Sequence, residues 1–162
     1  MFPSKQKLER QTPVLLISKY LNPKLVQHLR VDDRDEALRA LIDLLAAEEK
    51  LLNKEAFYQA ILERERIVST GIGMGVAVPH AKLSGYSTFF IAIGIHQKGI
   101  PWDALDGVPV RLVFMIGGPD YKQTEYLQLL SRLTLAIKDE ERRKKMLQLS
   151  KPEDIIALFK GI

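Results

Sequence analysis

A glycine-rich segment that ends in one histidine carries the residues best suited to chemistry. It reads STGIGMGVAVPHAK over residues 69–82. Glycines at alternating positions let backbone N–H groups approach a small anion without interference from Cβ atoms. Pro79 biases the residue before it toward extended backbone, so we expect His80 to leave a short buried strand, Val76 to Val78, in a defined direction. Its imidazole is nucleophilic and nearly neutral at cellular pH, which predicts a site that accepts a phosphoryl group.

Polar groups around this loop are candidates to hold the phosphoryl group, which carries about −1.5 to −2 charges near pH 7. Backbone amides and two hydroxyls of the loop can donate hydrogen bonds, and an arginine at the end of the preceding predicted helix can add a planar cationic fork. The predicted phosphate-binding residues are Arg64, Ser69, Thr70, Gly71 and Gly73. One nitrogen of His80 attacks phosphorus while the other donates to a carbonyl or hydroxyl group, and the residues alone leave both assignments open.

Other interpretations of the same residues also fit the sequence. The loop has neither the spacing of a dinucleotide fingerprint nor a nucleotide P-loop, so nucleotide binding is not predicted. A tight turn between a helix and a strand remains open, as does an exposed helix charge for Arg64. His28 and His96 have no clustered carboxylates nearby, so no metal site is predicted. We expect His28 at a strand edge, His96 at a strand end and Trp102 in the core.

The glycine segment and its flanks resemble the signature of a known family. The matching residues are Arg64-Glu65, Ser69 to Gly73, Gly75, Ala77, Pro79-His80, Lys82 and the run WDALDG at 102–107. They resemble the fructose/mannitol/nitrogen type of enzyme IIA in the bacterial phosphoenolpyruvate-dependent phosphotransferase system. The resemblance extends from about Leu16 to the C-terminus. It implies that a small histidine phosphocarrier protein phosphorylates His80 at Nε2, and that the group is passed on or acts as a signal.

One departure from that family concerns onward transfer. Members that transfer phosphate usually have a second histidine in the helix that follows the strand corresponding to 112–116. Residues 121–131 contain no histidine, and the nearest alignment places Gln128 there, with Glu125 and Tyr126 as alternatives. A glutamine amide can donate to a phosphate oxygen but cannot become cationic. Acceptance of phosphate is therefore expected, while efficient onward transfer stays open.

Length, composition and charge restrict the class of protein. A chain of 162 residues fits one domain, and we expect a tail over 1–14 and an enzyme IIA type-2 domain over 15–162. The apolar stretches are shorter than the roughly 20 residues needed to cross a bilayer, and the N-terminus lacks the apolar region of a signal peptide. The absence of cysteine excludes disulfides and thiol catalysis. A cytoplasmic protein without membrane insertion is the simplest expectation.

The positive charge is mild and concentrated at the two ends of the chain. The net charge of +4 permits an acidic partner but does not require nucleic acid, which is not expected. Basic residues occur at Lys5, Lys7 and Arg10, and again between Lys138 and Lys151. They predict either solvated helix faces or a patch for an acidic partner.

The remaining sequence predicts alternating strands and helices. Alternating apolar and polar residues predict a strand at Leu25 to Val31, and continuous apolar runs predict strands at Thr88 to Ile95 and Val110 to Ile116. Predicted helices begin at caps: Asp32 or Asp33, Asn53, Thr124 and Ser150. This pattern predicts an α/β domain. The resemblance implies a central mixed β-sheet flanked by helices on both faces.

Together these observations predict a domain that is reversibly phosphorylated on His80, with no cofactor. Because no permease domain follows the fold, we favour a free-standing regulatory member of the nitrogen type. The alternatives are a sugar-specific enzyme IIA that works with a separate permease, and a non-phosphorylated interaction module. The expected partners are the histidine phosphocarrier and a downstream regulatory target or permease component.

Overall fold

The computed structural model describes residues 14–162. Apart from Val14, the predicted tail 1–14 lies outside the described residues, together with its basic side chains Lys5, Lys7 and Arg10. Within residues 14–162, no helix is both long enough and apolar enough to cross a membrane.

Two helices on one face of the sheet begin where the sequence predicts. Helix α1 spans Arg34–Ala47, and the Asp33 side chain caps it by accepting from the amide of Glu36 at 2.8 Å. Helix α2 spans Lys54–Ile67, and Asn53 caps it in the same way. Such caps satisfy backbone donors that have no partner inside the helix. The cap at Asn53 sets the start of α2, whose last turn carries Arg64.

Among residues 14–162, six strands form one mixed sheet. The strands are β1 Val26–His28, β2 Gly71–Gly73, β3 Val76–Ala77, β4 His80–Leu83, β5 Phe90–Ile100 and β6 Val110–Pro119. Their order in the sheet is β1-β5-β6-β3-β2, with β4 also paired to β6. Strands β3 and β4 run parallel to β6, β1 runs parallel to β5, and the remaining pairs are antiparallel. The two long apolar strands, β5 and β6, form the centre of the sheet, as their continuous apolar runs predict.

One edge of β6 carries two short strands in succession, and His80 begins the second. β3 pairs with Leu112 and Val113, and β4 pairs with β6 from Ile116 onward. Pro79 between them has no N–H, but its carbonyl oxygen accepts from the amide of Ile116 at 2.9 Å. The prediction that His80 leaves the strand end is therefore wrong. The proline interrupts the ladder, and β6 continues past it and pairs with the next residues.

Three helices follow the sheet: α3 Gln123–Lys138, α4 Glu140–Gln148 and α5 Pro152–Ala157. The predicted caps Thr124 and Ser150 are wrong, since the cap positions are Lys122 and Lys151 and neither makes a side-chain cap hydrogen bond. Helix α4 was not predicted from the sequence as a separate helix. Its cap is Asp139, which accepts from the amides of Glu141 and Arg142.

Several basic residues between 138 and 151 contact other parts of the chain. Arg142 and Arg143 donate to the carbonyl oxygens of Ala136 and Ile137, at 2.9 and 2.6 Å, and so satisfy the last turn of α3. Lys144 forms ion pairs with glutamates of its own helix. These three side chains have structural roles, and both interpretations of the charge remain predictions.

The core consists of two layers, one on each face of the sheet. Helices α1 and α2 cover one face with buried side chains such as Leu41 and Phe57. Helices α3, α4 and α5 cover the other, with Leu133 and Phe159 fully buried. The predicted sheet with helices on both faces is thus confirmed.

Candidate functional site

His80 presents one ring nitrogen to a backbone carbonyl, and the other has no hydrogen-bond partner among residues 14–162. Its Nδ1 lies 3.0 Å from the carbonyl oxygen of Val78. Because a carbonyl oxygen only accepts, this hydrogen bond requires a proton on Nδ1. The lone pair of the neutral ring is then on Nε2, the nitrogen that the family resemblance implies.

The surroundings of His80 favour the neutral ring. Partial burial lowers its pKa below the ordinary 6.5, and the cationic side chains of Arg64 and Lys82 lower the pKa further. The hydrogen bond to Val78 and the negative charge of Glu65 oppose this shift in pKa without reversing it. A neutral imidazole keeps its lone pair available at neutral pH, so the ring is prepared to act as a nucleophile.

Helix α2 brings Arg64 to the site, as its position before the glycine segment predicts. The guanidinium donates to the carbonyl oxygen of Val68 at 2.6 Å, just beyond the last helical turn. It is close enough to lower the pKa of both His80 and Tyr126. This single hydrogen bond uses one of the five N–H donors of arginine, so the group can still donate to an anion.

The hydroxyl groups of Ser69 and Thr70 are engaged inside the protein. Ser69 Oγ donates to the carbonyl oxygen of Trp102 at 2.8 Å and accepts from the amide of Gly71 at 3.1 Å. The Thr70 hydroxyl donates to the buried carboxylate of Glu65. A hydroxyl has one proton, so neither group can also donate to a phosphate in this arrangement. The predicted direct roles of Ser69, Thr70 and Gly71 do not fit these contacts.

The glycine hairpin already holds an anion, the carboxylate of Asp106. Asp106 accepts from the amide of Met74 at 3.0 Å, and a Cβ on Gly73 would lie 3.1 Å from the same carboxylate oxygen. The hairpin tip pairs near Leu112 of β6, whereas His80 pairs with Ile116. Four strand residues separate these positions by about 13 Å. The predicted role of Gly73 in holding phosphate on His80 is therefore wrong, because the register keeps the two apart.

Tyr126, not Gln128, is the α3 residue that faces His80. The Tyr126 ring is buried, and its centroid lies 5.9 Å from that of His80. Gln128 is exposed and lines a surface groove with Leu15. Two positions along a helix correspond to a rotation of about 200°, so these residues point to opposite sides. The prediction for Gln128 is wrong, and the alternative Tyr126 is the one that the structure places at the site.

Lys82 completes the cationic surroundings of His80. Its Nζ lies 4.2 Å from the centroid of the Tyr126 ring and donates to Oε1 of Gln123 at 2.7 Å. From the sequence, Lys82 was predicted only as part of the family signature. Residues i and i+2 of a strand point to the same face, so the two-residue spacing from His80 was the signal that could have predicted its position.

The other two histidines lie on the β1 side of the sheet. His28 ends β1, as its predicted edge position requires, and its Nε2 donates to the carbonyl oxygen of Ser150 at 3.0 Å. His96 lies within β5 rather than at a strand end, because β5 continues to Ile100. Both line an open cleft of about 880 Å³. Among residues 14–162, no three histidine or carboxylate side chains are grouped as metal ligands.

Comparison with known proteins identifies the family to which this arrangement corresponds. The family described as "Phosphoenolpyruvate-dependent sugar phosphotransferase system, EIIA 2" matches residues 19–161. The fructose-specific EIIABC component of Bacillus subtilis is 36% identical over 78% of this chain, and the match spans 20% of that longer protein. The nitrogen regulatory protein of Bradyrhizobium diazoefficiens is 32% identical over 73% of this chain and 76% of its own length.

A solved structure agrees with these relatives. The nitrogen regulatory protein IIA-Ntr from Neisseria meningitidis superimposes with a TM-score of 0.82 at 27% sequence identity. The match covers 89% of this chain and 99% of that one. The similarity therefore includes the sheet and both helical layers.

Proposed function

The chain belongs to the phosphoenolpyruvate-dependent sugar phosphotransferase system EIIA 2 family, and we propose that it accepts a phosphoryl group on Nε2 of His80. The donor is a histidine phosphocarrier protein. The lone pair of Nε2 attacks phosphorus, a new N–P bond forms as the N–P bond to the donor breaks, and the electron pair of that bond returns to the donor imidazole. The observation that carries this proposal is the hydrogen bond from Nδ1 to Val78, which leaves Nε2 as the free nucleophile.

Arg64 and Lys82 supply the positive charge that such a reaction needs. A phosphoryl group in transfer carries charge on its equatorial oxygens, and fixed cations stabilise that charge. Both charges lower the pKa of His80, which supports this role. Arginine offers a planar fork and lysine a compact point charge, so the two provide different kinds of contact.

Exposed apolar side chains near the end of α2 and in the loop after β5 provide a docking surface for the phosphocarrier. Ile67 is 75% exposed, Val68 60% and Leu105 93%. Val68 belongs to the same turn as the Arg64 hydrogen bond, which connects this surface to the site. Ile72 and Met74 of the glycine segment are also exposed, whereas Ile100 is buried in the core.

Within the family, we favour a regulatory role of the nitrogen type. The match to IIA-Ntr extends over nearly the whole of that protein, which supports this choice. The second candidate is a sugar-specific phosphocarrier that works with a separate permease, favoured by the 36% identity to a fructose-specific component. The third interpretation is a module that is never phosphorylated, and the feature that sharpened it, Gln128, lies away from His80.

The test of phosphorylation is incubation of the purified chain with phosphoenolpyruvate, enzyme I and the phosphocarrier, followed by intact mass measurement. We expect one added phosphoryl group that is acid-labile and base-stable, as a phosphoramidate bond requires. No added mass under conditions that phosphorylate a control enzyme IIA would support the non-phosphorylated module. Transfer from the labelled chain to a fructose-type enzyme IIB would favour the sugar-specific candidate over the regulatory one.

A further inference from the structure

A buried carboxylate that the proposed reaction does not use lies beside the site. Glu65 is 4% exposed and accepts three hydrogen bonds. They come from the amide of Thr70 at 2.8 Å, from the hydroxyl of Thr70, and from the indole N–H of Trp102 at 3.2 Å. All three partners are donors, so the ionised form of Glu65 fits this environment. A buried charge held by three donors fixes the position of every group that contacts it.

Two further hydrogen bonds connect Thr70 to the imidazole of His80, through the backbone of Val78. The carbonyl oxygen of Thr70 accepts from the amide of Val78 at 3.0 Å. The carbonyl oxygen of Val78 then accepts from Nδ1 of His80, also at 3.0 Å. Thr70 and Val78 are both buried, at 4% and 5% exposed, so little water competes with these bonds.

Each bond in this series positions the next acceptor. The carboxylate of Glu65 holds the backbone of Thr70 through its amide, and the carbonyl oxygen of the same residue then holds the amide of Val78. The carbonyl oxygen of Val78, fixed in this way, faces Nδ1 of His80. Glu65 thus determines where the acceptor of the Nδ1 proton lies, although Glu65 makes no hydrogen bond to the ring.

We propose that Glu65 is a positioning residue that holds His80 in the tautomer protonated on Nδ1, by fixing the backbones of Thr70 and Val78. The proposal depends on the proposed function in one respect, which is that this tautomer keeps Nε2 free to attack phosphorus. The tautomer itself is a property of the unphosphorylated chain. Loss of the Glu65 carboxylate then loosens the Val78 carbonyl, part of the proton population moves from Nδ1 to Nε2, and the nucleophilic lone pair becomes less available.

Several charged or titratable side chains face His80, and each has its own effect on the ring. Arg64 and Glu65 reach it from α2, Lys82 from its own strand, and Tyr126 from α3. Glu65 is the one of these whose charge raises the pKa of His80. Its removal should therefore lower that pKa, whereas a general loosening of the site would bring it back toward the ordinary value of about 6.5.

The experiment is ¹⁵N NMR of the full chain labelled at histidine, with no phosphoryl donor present. In the wild type we expect the Nδ1 signal of His80 in the protonated range and the Nε2 signal in the unprotonated range. In Glu65→Gln the fraction of the Nε2–H tautomer should rise about threefold or more, because one of the two oxygens that accept from Thr70 becomes an NH₂ group that can only donate. Glu63→Gln is the matched control, since Glu63 is an exposed residue of the same helix.

Two further measurements keep the proposal testable if Glu65→Gln does not fold. A wild-type spectrum dominated by the Nε2–H tautomer overturns it without any variant. Trp102→Phe removes one donor to Glu65 but keeps the carboxylate and the backbone hydrogen bonds of Thr70 and Val78. It should leave the His80 tautomer as in the wild type. A folded Glu65→Gln with an unchanged tautomer and pKa also overturns the proposal. Because these spectra need no phosphoryl transfer, a failure of the proposed phosphorylation would appear separately, as an absence of added mass in the wild type.

Discussion

A central strand and an edge strand of the sheet each carry a histidine, and the two rings use their nitrogens differently. In the central strand β5, His96 uses both nitrogens: Nε2 donates to the carbonyl oxygen of Val31 at 2.7 Å, and Nδ1 accepts from the amide of Gly99 at 2.9 Å. In the edge strand β4, His80 uses only Nδ1 for contacts with residues 14–162, and the charges of Arg64 and Lys82 lower the pKa of its ring. The comparison shows that hydrogen-bond partners and neighbouring charges, rather than residue type, separate a candidate nucleophile from a structural histidine.

Removal of each histidine in turn is the strongest test of this comparison. We expect His80→Ala to abolish phosphoryl labelling, whereas His28→Ala and His96→Ala keep it. The His80 variant loses one hydrogen bond, so its free energy of unfolding should fall by about 1 kcal/mol. Intact mass after incubation with the phosphocarrier measures labelling, and thermal unfolding measures stability. Undiminished labelling of folded His80→Ala would place the acceptor elsewhere, with the other two variants identifying which histidine it is.

The next largest effect is expected at Arg64, whose charge distinguishes the His80 edge. Arg64→Ala should slow labelling about 100-fold, the lower end of the range for loss of one transition-state donor. Arg64→Lys should slow it less, about tenfold, because lysine keeps the charge but loses the planar fork. The control is Arg66→Ala, an exposed arginine one half-turn away on the same helix. Wild-type rates in both Arg64 variants would show that its role ends with the hydrogen bond to Val68.

A smaller effect should distinguish Tyr126 from Gln128. Tyr126→His places a second imidazole beside His80 and should change the exchange of phosphate with the phosphocarrier several-fold, since a protonated ring adds positive charge. Gln128→His should react as the wild type does, because position 128 points away. Rapid-quench measurement of forward and reverse transfer compares the two. An effect at 128 but not at 126 would contradict the helix orientation described here.

The smallest expected effect is the response of labelling to pH. Burial and the nearby cations lower the pKa of His80, so its ring protonates only below the ordinary value of about 6.5. Labelling should change little between pH 8 and 7 and fall at more acidic pH, with a midpoint below that of an unperturbed histidine. The same shift in pKa makes the folded state bind protons less readily than the unfolded chain. The contribution of His80 to stability is therefore complete above about pH 6.5 and is lost as pH falls toward the folded pKa.

This pH response is measured by titrating the His80 signals and the initial labelling rate side by side. His80 in a urea-unfolded sample supplies the reference pKa. A midpoint at or above that reference would contradict the proposed neutral, partly buried ring.

Local sequence signals predicted most of the fold and the central residue of the site. Asp33 and Asn53 cap helices as expected, because a cap depends on residues only three positions apart. The apolar runs of β5 and β6 were sufficient to identify the centre of the sheet. His80 and Arg64 were found because they flank one short segment.

The errors concern contacts between residues distant in sequence. The hairpin amide at Met74 binds Asp106, which is 32 positions away, so the sequence suggested a free anion site where the protein fills its own. Gln128 was chosen over Tyr126 by the nearest alignment with the family, and such an alignment does not fix the rotation of a helix whose cap at Lys122 has no side-chain hydrogen bond. Both errors involve local patterns whose partners only the tertiary fold reveals.

The chain has a single tryptophan, and Trp102 is the one that donates to Glu65. The tryptophan emission of the chain therefore comes entirely from one indole, which is 2% exposed and hydrogen-bonded to the carboxylate beside the site. Fluorescence of the unlabelled protein is thus a site-specific optical signal, without a background from other indoles. A stopped-flow trace of that emission would follow the arrival of a phosphocarrier in real time, if docking disturbs the contact between Trp102 and Glu65.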